Sequence, residues 1–105
     1  MNNDKLSVLE KEMDSIIKNI IVQLRTEKSI SNSMIDQLIN QLDEFKAIIK
    51  DQDHISRTFA GKLFYLFSTM VFEAKYMQYD QDIMDVISQL RVCVLKVFDE
   101  QQFQI

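Results

Sequence analysis

Across 105 residues there is no proline and a single glycine, Gly61. Sheets and long loops depend on these residues for tight turns and for backbone conformations that other side chains resist. A chain that nearly lacks both is best served by helices joined by short polar turns. The expected fold class is therefore all-α.

Hydrophobic residues make up 47 % of the chain, enough for a real but modest core in one domain spanning 1–105. The formal net charge is −4, and the 12 basic residues are spread along the chain. Nucleic-acid binding needs a basic stripe to neutralise phosphates, and none is visible, so a nucleic-acid partner is not expected. The lone Cys93 has no second cysteine to pair with, which suits a reducing compartment. The opening MNNDKLSVLEKEMD is acidic and amphipathic and lacks the apolar core of a signal peptide, so the expected location is cytoplasmic. The most apolar stretch, LFYLFSTMVF at 63–72, is half the roughly 20 residues that a membrane-spanning helix needs. At most peripheral membrane contact is expected.

Four amphipathic patterns follow one another. The first, at about 4–25, places Leu6, Leu9, Met13, Ile16, Ile17, Ile20, Ile21 and Leu24 on one side of a helical wheel. Asp14 and Lys18 form a favourable i,i+4 pair on its polar side. After the break TEKSISNS, where Ser31, Asn32 and Ser33 each suit an N-cap, a second helix at 31–50 turns Met34, Ile35, Leu38, Leu42, Phe45, Ile48 and Ile49 inward. Ser56 is the expected cap of a third helix at 56–77. Asp80 is the expected cap of a fourth at 80–98, with Asp82 in its first turn and Ile83, Met84, Ile87, Leu90, Val94, Val97 and Phe98 on one stripe. Short connections between such helices predict an antiparallel up-down-up-down four-helix bundle with a short tail at 99–105.

Catalytic chemistry is not visible. The one histidine, His54, falls in a turn, and nothing around it or Cys93 resembles an activated thiol. Cys93 lies at the edge of the inward stripe, the usual place of a small core residue. The sequence DQD occurs twice, at 51–53 and 80–82, like the start of a calcium loop. Each then carries an apolar residue at the fifth position, Ile55 or Met84, and lacks glycine at the sixth. Neither an enzyme, a metal nor a cofactor is expected.

The third helix is unusual in being apolar on two sides. Phe59, Leu63, Leu66, Phe67, Met70, Val71, Ala74 and Met77 form a broad inward face, with Phe64 at its edge. Tyr65, Phe72 and Tyr76 fall within about 40° of one another, roughly opposite the core centre. Two explanations stand side by side. The stripe is covered, by the tail residues Phe103 and Ile105 or by a second copy in a weak dimer; or it is part of a partner-binding site, since aligned aromatics are common interface anchors.

The segment GKLFYLFSTMVFEAKYMQYDQDIMDVISQLR resembles the second half of the pediocin-like (class IIa) bacteriocin immunity proteins. The shared pattern is an aliphatic and aromatic helix with Leu63, Tyr65, Leu66, Phe67 and Phe72, a turn after Tyr76, and an amphipathic helix carrying Ile83, Ile87 and Leu90. The likeness covers about residues 34–95. It implies a cytosolic antiparallel four-helix bundle of Gram-positive bacteria that protects its producer from a pore-forming peptide. The implied partner is the complex of bacteriocin with its membrane receptor, the sugar phosphotransferase permease, and the implied specificity region is the third and fourth helices with the tail. The chain departs from the family in its short tail and in being acidic where several relatives are basic. Apart from this resemblance, the aromatic stripe alone suits a general helical adaptor or dimerisation module. Candidate partner-binding residues are Tyr65, Phe72, Tyr76, Phe103 and Ile105.

Overall fold

The computed structural model describes residues 2–52 and 54–98. They form an all-α, antiparallel up-down-up-down bundle of four helices: α1 (Asn2–Glu27), α2 (Asn32–Ile49), α3 (Arg57–Ala74) and α4 (Gln81–Val97), with a 3-10 turn at Lys75–Met77 closing α3. No helix among the described residues is long and apolar enough to cross a membrane.

Helix starts follow local chemistry. Ser31 Oγ accepts from the Met34 backbone N–H at 3.4 Å, and Ser56 Oγ from that of Phe59 at 3.2 Å. Asp80 Oδ1 accepts from the N–H groups of Asp82 and Ile83 at 2.6 and 3.4 Å. Each cap satisfies donors that the first helical turn cannot pair internally. Helix ends, without glycine, fall to ordinary side chains in the left-handed region: Lys28 (φ 52°), Gln78 (φ 57°) and Tyr79 (φ 53°). Such residues cost roughly 1–2 kcal/mol each, so tertiary contacts must hold them there. α1 outruns its expected end because Thr26 and Glu27 extend the helix and only Lys28 breaks it.

The helices that pack side by side are α1 with α2, α1 with α3, α2 with α4, and α3 with α4. The sequence neighbours α2 and α3 therefore lie across a diagonal, and residues 50–56 carry the chain over the end of the bundle. Seven residues reach up to about 23 Å, ample for a diagonal of about 14 Å between helices packed 8–10 Å apart. Phe45 and Phe59 meet near that end with ring centroids 4.5 Å apart.

Met13, Ile20, Leu24, Leu38, Phe45, Leu66, Met70, Ile83 and Leu90 have no exposed surface. In α3 the buried positions Phe59, Leu63, Leu66, Met70 and Glu73 recur at alternating spacings of four and three, a seven-residue seam. This seam corrects two expectations. Val71, placed inward by the wheel, is 50 % exposed because it stands one residue past Met70 and hence about 100° round the helix. Met84, one residue past Ile83, is likewise exposed, and Val86 takes the core position instead. Phe67, Met77, Ile87, Val94 and Phe98 pack on the core as partly buried flanks. The tail residues Phe103 and Ile105 lie outside the described residues.

Two substitutions in α3 should move stability in opposite directions. Leu66→Ala removes a fully buried side chain and should cost about 2–5 kcal/mol by denaturant titration; a loss below about 1 kcal/mol would mean that the helix is rotated. Gly61→Ala should stabilise by about 0.5–1 kcal/mol, because a Cβ at Gly61 meets nothing within 4 Å and a mid-helix glycine is entropically costly.

Candidate functional site

Once the inward seam of α3 is fixed, what remains faces outward. Tyr65, Phe72 and Tyr76 are all at least half exposed, and the Phe72 and Tyr76 rings form a tilted pair with centroids 5.7 Å apart. Phe64, expected at the edge of the core, is 74 % exposed, and Val71 joins it on the same side of the helix. The outer surface of α3 thus carries two apolar ridges, Phe64 with Val71 and Tyr65 with Phe72. Between them run Gly61 and Ser68, seven residues apart on one line. The Ser68 hydroxyl donates to the Tyr65 carbonyl at 3.1 Å, so it lies back against its own helix.

Along its α1 side this surface is lined by cations. Arg25 Nη1 donates to the Tyr65 hydroxyl at 3.3 Å. Lys28 Nζ reaches Glu73 Oε1 at 2.6 Å and lies 5.4 Å from the centre of the Tyr76 ring; Lys75 Nζ lies 5.6 Å from the same ring. Glu73 occupies a core position of the α3 seam with only 6 % of its surface exposed. A carboxylate so placed needs a cation, and the left-handed turn at Lys28 delivers one. An open cleft of about 440 Å³ lies here, lined by Arg25, Tyr65, Ser68, Thr69, Phe72 and Glu73.

A second ionic contact clamps the same two helices about three turns away along α3. Asp14 lies 2.8 Å from Lys62 on α3 and 3.1 Å from Lys18 on its own helix. The Lys62 ammonium is the main reason that its carboxyl is held below the usual aspartate range, with Lys18 assisting and partial burial opposing.

Charge is unevenly divided. On α3 and the turn that closes it, Arg57, Lys62 and Lys75 against Glu73 leave a surplus of two positive charges, three minus one, in a chain whose net charge is −4. Exposed carboxylates lie on the other helices, as Asp36, Asp43 and Glu44 on α2, Asp82 and Asp85 on α4, and Glu12 and Glu27 on α1. Among the described residues no carboxylate lies within ion-pairing distance of Arg25, Arg57 or Lys75.

Burial pushes the Cys93 thiol up, and Asp43 adds to the effect, so at neutral pH it is a protonated side chain packed on the core. His54 is exposed on the link between α2 and α3. No group of three or more His, Cys, Asp or Glu among the described residues is arranged to hold a metal ion. No family model, no curated protein and no solved structure matches the chain.

The structure brings Tyr65, Phe72 and Tyr76 onto one exposed face; Phe103 and Ile105 fall outside the described residues. Sequence reasoning missed Phe64, Val71, Arg25, Lys28 and Gly61 as members of this face. The seven-residue spacing of Gly61 and Ser68 was a usable signal for the outer line. Arg25 and Lys28 gave none, because only the packing of α1 beside α3 brings them there.

Asp14 gives the site's scaffold a defined acid response. Its folded pKa is depressed, so its contribution is fully present above the ordinary aspartate pKa and is lost as pH falls through the folded value. Wild type should exceed Asp14→Asn in stability at neutral pH, and urea titrations at falling pH should show that gap closing below about pH 4. A gap independent of pH would mean that the contact with Lys62 does not form.

Proposed function

We propose that this chain is a bacteriocin immunity protein of the pediocin-like kind. It works without catalysis, protecting its producer by recognising the complex of a pore-forming peptide with its membrane sugar permease from the cytoplasmic side. The observation that carries this reading is the exposed outer face of α3. The fold does not need Phe64, Tyr65, Phe72 or Tyr76 in water, yet they are aligned there on the segment whose residues resemble that family. Aromatic and arginine side chains gathered on one patch are the usual anchors of protein recognition. The four-helix architecture also supports the reading, since the resemblance implies such a bundle.

A helical adaptor unconnected with bacteriocins is the second reading, favoured by the same exposed face. Protection separates the two. Expressed in a sensitive strain, the chain should raise the tolerated concentration of at least one pediocin-like bacteriocin. Phe72→Ala should reduce that protection without unfolding the bundle, because the ring is 63 % exposed. Uniform sensitivity to a broad panel of such peptides would overturn the immunity reading and leave the adaptor.

A further inference from the structure

The outer surface of α3 has the lattice of a coiled-coil seam. Gly61, Phe64, Tyr65 and Ser68 stand at i, i+3, i+4 and i+7, the four corners of a hole that accepts one side chain from a facing helix. Ser68, Val71, Phe72 and Lys75 repeat the same hole one heptad on. All of these residues are exposed except Ser68, which is half-buried. α3 therefore carries two seams, of which the inner one is filled by the bundle and the outer one is open.

Gly61 fits the needs of that outer seam and none of the fold's own. It is the single glycine of the chain, it lies within a helix where glycine weakens the structure, and a Cβ there would touch nothing within 4 Å. Its backbone is left bare at one corner of the first hole, on the floor of the groove between the ridges, where a second helix would make its closest approach.

Charge selects the occupant. Arg57 and Lys75 lie at the two ends of the seam and Arg25 along its α1 side, none of them paired with a carboxylate among the described residues. A second copy docked face to face by two-fold symmetry would set this rim of cations against itself, an arrangement that disfavours self-association. A flat anionic membrane would meet the cations and use the ridges, but a bare floor between two ridges gives it no advantage. A helix with an apolar stripe and flanking carboxylates fits ridges, floor and rim together.

We propose that the outer face of α3 is a docking groove for one acidic amphipathic helix of a partner protein, seated by its apolar side chains in the two holes around Gly61 and Ser68 and held by carboxylates on Arg25, Arg57 and Lys75. The proposal rests on the reading of this face as the recognition site and names the chemistry of what is recognised.

The probe is a labelled synthetic helical peptide with a leucine heptad stripe flanked by glutamates, compared with its lysine-flanked counterpart by fluorescence anisotropy. The glutamate peptide should bind at least about tenfold more tightly than the lysine peptide. Gly61→Leu should weaken its binding by about tenfold or more by filling the first hole, and Lys75→Glu should weaken it as well. Thermal melts of both variants report whether the bundle is intact, and Gly61→Leu should not lower the melting temperature, since a Cβ there meets nothing within 4 Å and leucine is the better helix former. Equal binding of the two peptides, no binding of either, or unchanged binding by Gly61→Leu would overturn the proposal. So would binding to phosphatidylglycerol vesicles without binding to the peptide, or a dimer in sedimentation that Gly61→Leu dissolves. Peptide binding in a protein that gives no protection against any bacteriocin would leave the groove standing and remove the immunity reading; protection without peptide binding would do the reverse.

Discussion

The rotation of α3 about its own axis decides what this protein shows to its surroundings. Leu63, Leu66 and Met70 are almost wholly inaccessible, packed where α3 meets α1 and α4. Turning the helix by even one residue would exchange these for Val71 or Phe64 and would expose some of the largest buried side chains of the bundle. Close packing resists such a slip, because cavities and overpacked contacts each cost kilocalories. With the inner seam locked, Gly61, Phe64, Tyr65, Ser68, Val71 and Phe72 have no freedom to face anywhere but outward.

Glu73 shows how that lock is coupled to the electrostatics of the outer face. It stands at a core position of the α3 seam where an apolar residue would be expected, and its burial demands a cation. Lys28 supplies it at 2.6 Å from a left-handed turn that costs the chain local energy. The same ammonium lies over the Tyr76 ring. One contact therefore closes α1, fixes its end against α3, and sets positive charge beside the aromatics. The Asp14–Lys62 pair joins the same two helices farther along.

The helices, their caps and most of their inward residues were legible in the sequence because each depends on neighbours within a turn or two. Ser56 and Asp80 act as caps through side chains that reach only two or three residues ahead. Val71 and Met84 were misplaced because a wheel averages over a broad apolar arc, whereas packing against two neighbours selects a narrow seam and turns the next residue out. The diagonal relation of α2 and α3 was not legible, since a polar link of this length serves an adjacent or a diagonal partner equally well. The cations at the site were hidden for the same reason. Arg25 and Lys28 are separated from α3 by the whole of α2, and only the side-by-side packing of α1 and α3 unites them.

The outer seam sets local choice against the stability of the isolated bundle. A glycine weakens α3, phenylalanines stand in water, and three cations along the seam have no carboxylate partners among the described residues, while the one carboxylate of α3, Glu73, is buried. None of these features improves the core, and each would be removed by optimisation for folding alone. Elsewhere many local choices agree with the fold: caps begin helices, most seam positions are apolar, and the buried Glu73 is neutralised by Lys28. A bare glycine, two apolar ridges and unpaired cations brought together on one face are the kind of local conflict that marks a surface kept for binding.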